Sequence, residues 1–340
     1  MSAPRALVNQ RRRPERVPAP PGDEVLRFHR GLAGYEPTPL RAVDYGGIEA
    51  LVKDESNRFG LPAFKILGAS WAVERTLRER PDLHTLVAAS AGNHGRAVAR
   101  VAAWRGLRCR IYLPARAGAA RADAIAAEGA EVVRVDGGYE DAVAAAERAG
   151  RERGVANLAD VSDDPAALTP AWASEGYSTL FREIDRPLEL LLVPVGVGSL
   201  AAAALRFGAH ADLPFPVVGV EPVTAACVTA SLAAGEPVSV ETPGTAMAGL
   251  DCARPSAVAW PVLRDGLAGT VTVSDEEVDR WKAAEAFGEC GLAPIAALHA
   301  LAHDDACAPL AEAVGYSHDR TVALVATEGI TDPKSYHRAR

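Results

Sequence analysis

From residue 47 onward the chain switches back and forth between two hydrophobic patterns. Short runs rich in Val and Leu read as strands: "IEALVKD" (48–54), "TLVAAS" (85–90), "RCRIYLP" (108–114), "EVVRVD" (131–136), "LELLLVPV" (188–195), "PVVGVEP" (216–222) and "TVALVAT" (321–327). Ala-rich stretches with apolar residues at helical spacing lie between them: "ILGASWAVERTLRE" (66–79), "HGRAVARVAAWRG" (94–106), "AARADAIAAEG" (119–129), "EDAVAAAERAGRERG" (140–154) and a helix from Ser199. Strands this apolar need cover on both faces, and helices between them supply it. The pattern therefore predicts parallel α/β units. Gly106, Gly129 and Gly154 stand where helix C-termini want a residue free of Cβ. Two strand–helix blocks separate, roughly 84–157 and 188–330, with the opening strand before both. Ligands in such sheets bind beyond the carboxyl ends of strands, so chemistry is sought there.

Composition narrows the function. The 340 residues carry a formal net charge of −8, which gives no global attraction for nucleic acid or an anionic membrane. No apolar stretch approaches the roughly 18 residues a membrane span requires. Five scattered cysteines without a C-x-x-C pair read as free thiols of a reducing compartment, hence a cytoplasmic protein. The opening "MSAPRALVNQRRRPERVPAPPGDE" is Arg- and Pro-rich. Its twin arginine has no apolar segment after it, so an export signal is not expected. Residues 1–22 read as a flexible arm, with Arg11–Arg13 solvated.

Three local anomalies carry candidate chemistry. Lys65 sits inside the apolar run "LPAFKILGAS", where an ammonium is costly unless it snorkels or is used. "VPVGVGSLAAAAL" places Gly196, Val197, Gly198, Ser199 and Leu200 between a strand and a helix. Glycine backbone N–H groups and a helix N-terminus suit an anion such as a phosphate. The same stretch fits G-x-G-x-x-A, and Glu221 lies 20 residues past Ala201, where a ribose-binding acid of a dinucleotide site would be. Phosphate cradle, dinucleotide turn and plain tight turn all stay open on this stretch alone. "AASAGNHGRAVA" gathers Ser90, Ala91, Gly92, Asn93 and His94 at another strand end and suits a carboxylate, or is simply capped by Ser90 or Asn93.

Lys65 at a helix start, the S-A-G-N-H-G loop 25 residues later and the G-V-G-S-L turn together resemble the fold type II pyridoxal-phosphate enzymes, the tryptophan synthase β-like superfamily. "FHRGLAGYEPTPL", "VKDESNRFGLPAFKILGAS", "GNHGRAVAR", "GTAMAGLDCARPSAVAW" and "ATEGITDP" are similar to stretches of its diaminopropionate ammonia-lyase branch, and the likeness runs from about residue 27 to 337. It implies an α/β fold of two three-layer α/β/α domains with mostly parallel sheets and the active site in the cleft between them. A large cofactor domain would take residues 23–80 and 160–340, and a smaller one 81–159. Lys65 is implied to be the Schiff-base lysine and general base, its pKa lowered by desolvation and a nearby cation. Gly196, Val197, Gly198, Ser199 and Leu200 would hold the cofactor phosphate, Asn93 the ring oxygen, and Thr327 the pyridine nitrogen. A neutral hydroxyl at that nitrogen favours β-elimination or β-replacement over transamination. Ser90, Ala91, Gly92, His94 and Gly249 would frame the substrate.

The branch usually reads S/T-D-G-N-H-G, with the aspartate implied to act on the D-enantiomer; this chain has Ala91 there. Asp160 aligns with a second catalytic aspartate that can bind or protonate a distal amino group. The expectation is an ammonia-lyase acting on a small β-substituted L-amino acid such as 2,3-diaminopropionate, and a homodimer by family likeness. A serine/threonine dehydratase, a β-replacement synthase, a cofactor-bearing protein without turnover and, remotely, an NAD-dependent oxidoreductase using Gly196–Glu221 are the alternatives. The chain is short between Leu40 and Val52, and Cys290 stands where the branch has Ser. His299 and His303, spaced i, i+4 without a third ligand, read as surface histidines, and no metal is expected. Cys252 and Cys290 read as small core residues, Trp71, Trp172 and Trp260 as packing, Asp163 and Asp164 as caps of the next helix, and Glu221 as a structural acid.

Overall fold

The computed structural model describes residues 3–331 and Tyr336. Eleven strands are found among them: β1 (Ala6–Val8), β2 (Leu40–Asp44), β3 (Glu49–Asp54), β4 (Thr85–Ala89), β5 (Arg108–Pro114), β6 (Glu131–Val135), β7 (Val155–Asn157), β8 (Leu190–Pro194), β9 (Val217–Pro222), β10 (Gly269–Val273) and β11 (Val322–Ala326). They form a seven-stranded sheet, order β1-β10-β9-β8-β11-β3-β2, and a four-stranded sheet, order β6-β5-β4-β7. All neighbours are parallel except the two edge pairs of the larger sheet, β1/β10 and β2/β3.

The continuous apolar strands are explained by burial on both faces. Leu191 and Val193 of β8 point into one core with Ala323 and Val325 of β11, while Leu190, Leu192, Val322 and Leu324 point into the opposite one. That is helix–sheet–helix layering, as the pattern predicted. The smaller sheet repeats it: Leu86, Ala88, Ile111 and Leu113 face one core, Val87 and Tyr112 the other.

Helix α1 (Lys65–Glu79) joins the two halves. Ile66, Ala69, Trp71 and Val73 belong to the core of the small sheet, while Phe64 and Leu67 belong to a core of the large one. It crosses the 168–176 helix closely: a Cβ on Gly68 would meet the Tyr177 ring at 2.4 Å and the Ala173 carbonyl at 2.8 Å. The helix that begins at Lys65 is thus gripped from both sides.

The N-terminal segment corrects the sequence expectation. Instead of a mobile arm, the chain lays β1 antiparallel on β10. Arg5 binds Glu277 and Asp304, Arg11 donates to the Leu232 carbonyl, and Arg12 donates to the Gly266 carbonyl. Each charged head finds a fixed acceptor, so the segment is docked. β2, β7 and β10 also escaped the hydrophobic pattern.

Candidate active site

Lys65 opens α1 directly after β3 and its loop, with Phe64 and Tyr177 as ring walls 5.5 and 5.8 Å from its Nζ. The loop is fixed by backbone pairing: the Phe64 N–H donates to the Thr327 carbonyl, and Ala63 bridges Glu328. This ties the lysine to the carboxyl end of β11. Lys65 Nζ donates to Asp160 Oδ2 at 2.8 Å, both side chains being partly buried. Burial works against the ammonium, but the Asp160 carboxylate outweighs it and holds Lys65 above its ordinary pKa. Asp160 is likewise opposed by burial but pulled below the usual carboxylate range by His94 and Lys65. A lowered Lys65 pKa was the sequence expectation; the structure places a carboxylate where a cation was expected, so the free amine is an ammonium.

Helix α2 (Asn93–Trp104) begins at the asparagine loop. The Gly92 N–H donates to Ser90 Oγ, forming a tight turn with Ser90 and Ala91 half-buried and Ala91 packed against the small sheet's core. The His94 side chain turns inward from that turn. Its Nε2 meets the Leu158 carbonyl at 2.6 Å and its Nδ1 lies 3.7 Å from Asp160. It therefore flanks Asp160 beyond hydrogen-bond distance, its ring turned in toward the Leu158 carbonyl. Asn93 Nδ2 donates to Glu328 Oε2 at 2.5 Å.

The glycine turn leads from β8 into α4 (Ser199–Ala209), whereas α3 (Tyr139–Gly150) packs on the small sheet. Gly198 has φ +100°, and a Cβ there would strike Leu263 at 2.4 Å, so only glycine fits. At Gly196 a Cβ would meet the Gly249 carbonyl at 2.9 Å and Cys252 Sγ at 3.0 Å. Gly249 is thereby brought against the turn. Ser199 Oγ lies 3.4 Å from the Asp160 carbonyl, which joins the turn to the lysine site. The Leu200 side chain is in the core, leaving its backbone N–H as what it can offer, and Val197 is half-buried. The first N–H groups of a helix lack partners in the helix, so the turn presents donors to an anion.

These residues fit pyridoxal phosphate. They offer an amine beside a carboxylate, a glycine cradle at a helix start and a buried Thr327 hydroxyl without a hydrogen-bond partner among the described residues. The dinucleotide alternative fails on Glu221. That carboxylate is fully buried and spends both oxygens on the start of α5 (Cys227–Ala234): the Val228 and Thr229 N–H groups and the Thr229 hydroxyl. Nothing is left for a ribose.

Outside the site, His299 and His303 pack at 4.6 Å with His299 against Trp281, and no group of three metal-binding side chains is found among the described residues. Asp164 caps a turn at Ala166, before the helix that begins at Leu168, and Asp163 pairs with Arg254 at 3.6 Å. Trp71, Trp172 and Trp260 are buried. Cys290 is buried, whereas Cys252 stands close enough for Lys65 to influence its thiol. Residues missed in the sequence are Glu328, Cys252 and Tyr139, the last near Asp160 and Lys65. Glu328 follows Thr327 directly and was legible as an acid at a strand end.

Comparison with known proteins gives the family. The family described as pyridoxal-phosphate dependent enzyme matches residues 32–327. Diaminopropionate ammonia-lyase of Escherichia coli K12 is 31% identical over 91% of this chain and 88% of its own length. The crystal structure of the E. coli enzyme in complex with an aminoacrylate-PLP azomethine reaction intermediate superposes with a TM-score of 0.89 at 28% identity, covering 100% of this chain and 97% of that one. Its complex with D-serine gives a TM-score of 0.88 at 28% identity, over 98% and 96%. The glycine cradle, the half-buried lysine and the family match lead to one conclusion: this chain belongs to the pyridoxal-phosphate dependent enzyme family.

Proposed function

We propose that the chain is an ammonia-lyase that eliminates the β-substituent of a small L-amino acid, with 2,3-diaminopropionate as first substrate, to give a 2-oxo acid and ammonia. The carrying observation is the Lys65–Asp160 pair, 2.8 Å apart, beside the glycine cradle. Gly196, Val197, Gly198, Ser199 and Leu200 would hold the cofactor phosphate, Asn93 its ring oxygen and Thr327 its ring nitrogen. Bound pyridoxal phosphate supplies the electron sink that makes the substrate Cα–H acidic. Lys65 Nζ acts as general base on the Cα proton in its neutral form, having lost the proton it holds in the cofactor-free pair. Asp160, ionised beside Lys65, is the carboxylate that binds the distal amino group as its ammonium, which then departs as ammonia, and His94 flanks it. Ser90, Gly92 and the His94 N–H donate to the substrate carboxylate, with Ala91 and Gly249 alongside. A hydroxyl rather than a carboxylate at position 327 favours departure of the β-group over transamination.

The E. coli relative has been crystallised with D-serine. Ala91 supplies no carboxylate on the loop face, so this chain is proposed to be selective for L-substrates. The test is to reduce the holoenzyme with borohydride, map the adduct, and follow 2-oxo acid and ammonia from each enantiomer of diaminopropionate. Expected are an adduct on Lys65, product from the L-form and little from the D-form. Equal rates from both would defeat the selectivity, and product that requires an added nucleophile would make the chain a β-replacement synthase instead. No described helix is long and apolar enough to cross a membrane. A cytoplasmic location, supported by five free cysteines, and a homodimer, supported by family likeness, complete the proposal.

A further inference from the structure

Glu328 is a buried acid with no ion-pair partner among the described residues, its side chain enclosed at the carboxyl end of β11. Its backbone is fixed on both sides. It bridges Ala63, two residues before Lys65, and its carbonyl accepts from the Gly288 N–H at the start of α6 (Glu289–His303). The neighbouring glycines leave room only for this arrangement: a Cβ on Gly288 would come within 3.1 Å of Glu328 Oε1, and one on Gly291 within 2.8 Å of the Glu328 carbonyl. Among the described residues the carboxylate accepts from Asn93 Nδ2 at 2.5 Å and lies against Cys290. Asn93 belongs to the small sheet's first helix and Glu328 to the large sheet, so this hydrogen bond spans the cleft beside Lys65.

We infer that Glu328 is a positioning residue that fixes the orientation of the Asn93 amide across the cleft. An asparagine amide has two N–H donors. A carboxylate that takes one forbids the flipped amide and leaves the other N–H aimed away from Glu328, toward the site. The inference rests on the proposed cofactor role of Asn93, and it adds a residue that never touches the cofactor.

Holoenzymes of wild type, Glu328→Ala, Glu328→Gln, Asn93→Ala and the double alanine variant are compared by the pH midpoint of the visible cofactor absorbance, by cofactor affinity and by kcat and KM. Glu328→Ala is expected to keep the borohydride-trapped adduct on Lys65, shift the midpoint as Asn93→Ala does, and lose kcat by on the order of 10²-fold with KM changed less. The double variant adds no further shift, because the two residues act as one unit. Glu328→Gln offers both an acceptor and a donor, so it no longer forbids the flipped amide, and its midpoint is expected between wild type and Glu328→Ala. An unchanged midpoint in Glu328→Ala, or shifts that add, overturns the inference. If that variant does not fold, Glu328→Asp carries the test: withdrawn by one methylene, it shifts the midpoint in the same direction, and no shift overturns. A wild-type chain that takes up no cofactor brings down the proposed function as well, whereas a coloured wild type with an indifferent Glu328 brings down this inference alone.

Discussion

At the scale of single residues the site is a matter of which charge Lys65 faces. Asp160 lies below the ordinary carboxylate value of 3.8, so the pair's contribution is present above that pH and is lost as pH falls through the depressed value. Lys65 lies above 10.5, so its contribution is present below that pH and is lost as pH rises through the raised value. The cofactor-free pair is therefore intact across the whole neutral range, and capture of an aldehyde must first break it. Asp160→Asn removes the leading influence that raises Lys65 and leaves burial, which lowers it. The variant is expected to take up pyridoxal phosphate faster at neutral pH, seen as the rate at which visible absorbance develops. It should turn over substrate more slowly by roughly 10²–10⁴-fold, the usual contribution of a positioned acid or base. Slower uptake by Asp160→Asn would show that Asp160 guides the cofactor rather than restraining the amine.

At the scale of elements, Glu221 shows how a strand end secures the helix after it. Its carboxylate receives two N–H groups of α5 and the Thr229 hydroxyl, and Thr229 also reaches Thr270 of β10. Burial pushes its pKa up to about 7, against these donors. A raised acid contributes stability that is fully present below the ordinary value of 4.5 and fades as pH rises through about 7. Wild type should therefore lose thermal stability between pH 5 and 8 while Glu221→Gln, which cannot titrate, stays level; thermal melts across that range decide it. Cofactor uptake should not change in Glu221→Gln, since the carboxylate faces α5. The same elements show what was legible. β8, β9 and β11 announce themselves because both faces are buried. β10, "GTVTV", hides because Thr270 and Thr272 occupy buried positions whose hydroxyls are satisfied by Thr229 and the Pro4 carbonyl. Lys65 and the two loops stood out as local anomalies, a lysine among apolar residues and glycines at strand ends. Asp160 entered through the family resemblance alone, and neither its pairing with Lys65 nor Glu328 was read, because Lys65 meets Asp160 across 95 residues and Asn93 meets Glu328 across 235.

At the scale of the whole molecule, the N-terminal segment closes the sheet at the edge far from the chemistry. Composition marked it as a solvated arm, since Arg and Pro are what mobile segments contain. What holds it is distributed over the fold. Leu7 pairs with Thr270 and Val8 with Gly269, where a Cβ would meet the Leu7 carbonyl at 2.1 Å, so the strands need that glycine to approach. The Asn9 amide donates to the Arg264 and Leu267 carbonyls, and Arg5 bridges Glu277 and Asp304. An uncovered β10 would be an open edge of unpaired N–H and C=O groups, prone to pair with another chain. Deleting residues 2–13 is expected to lower stability by about 2–4 kcal/mol, from several lost hydrogen bonds at roughly 0.5–1.5 kcal/mol each, and to promote aggregation. The order β1-β10-β9-β8-β11-β3-β2 puts β1 four strands from β11 and five from β3, the strands that lead into Thr327 and Lys65. Below its melting temperature the truncated protein should therefore trap cofactor on Lys65 and keep its kcat. Thermal melts with light scattering, set beside the same borohydride mapping, separate the outcomes. An unchanged melting temperature would return the segment to a loose arm, and a lost adduct in folded protein would mean that this distant edge governs the cleft.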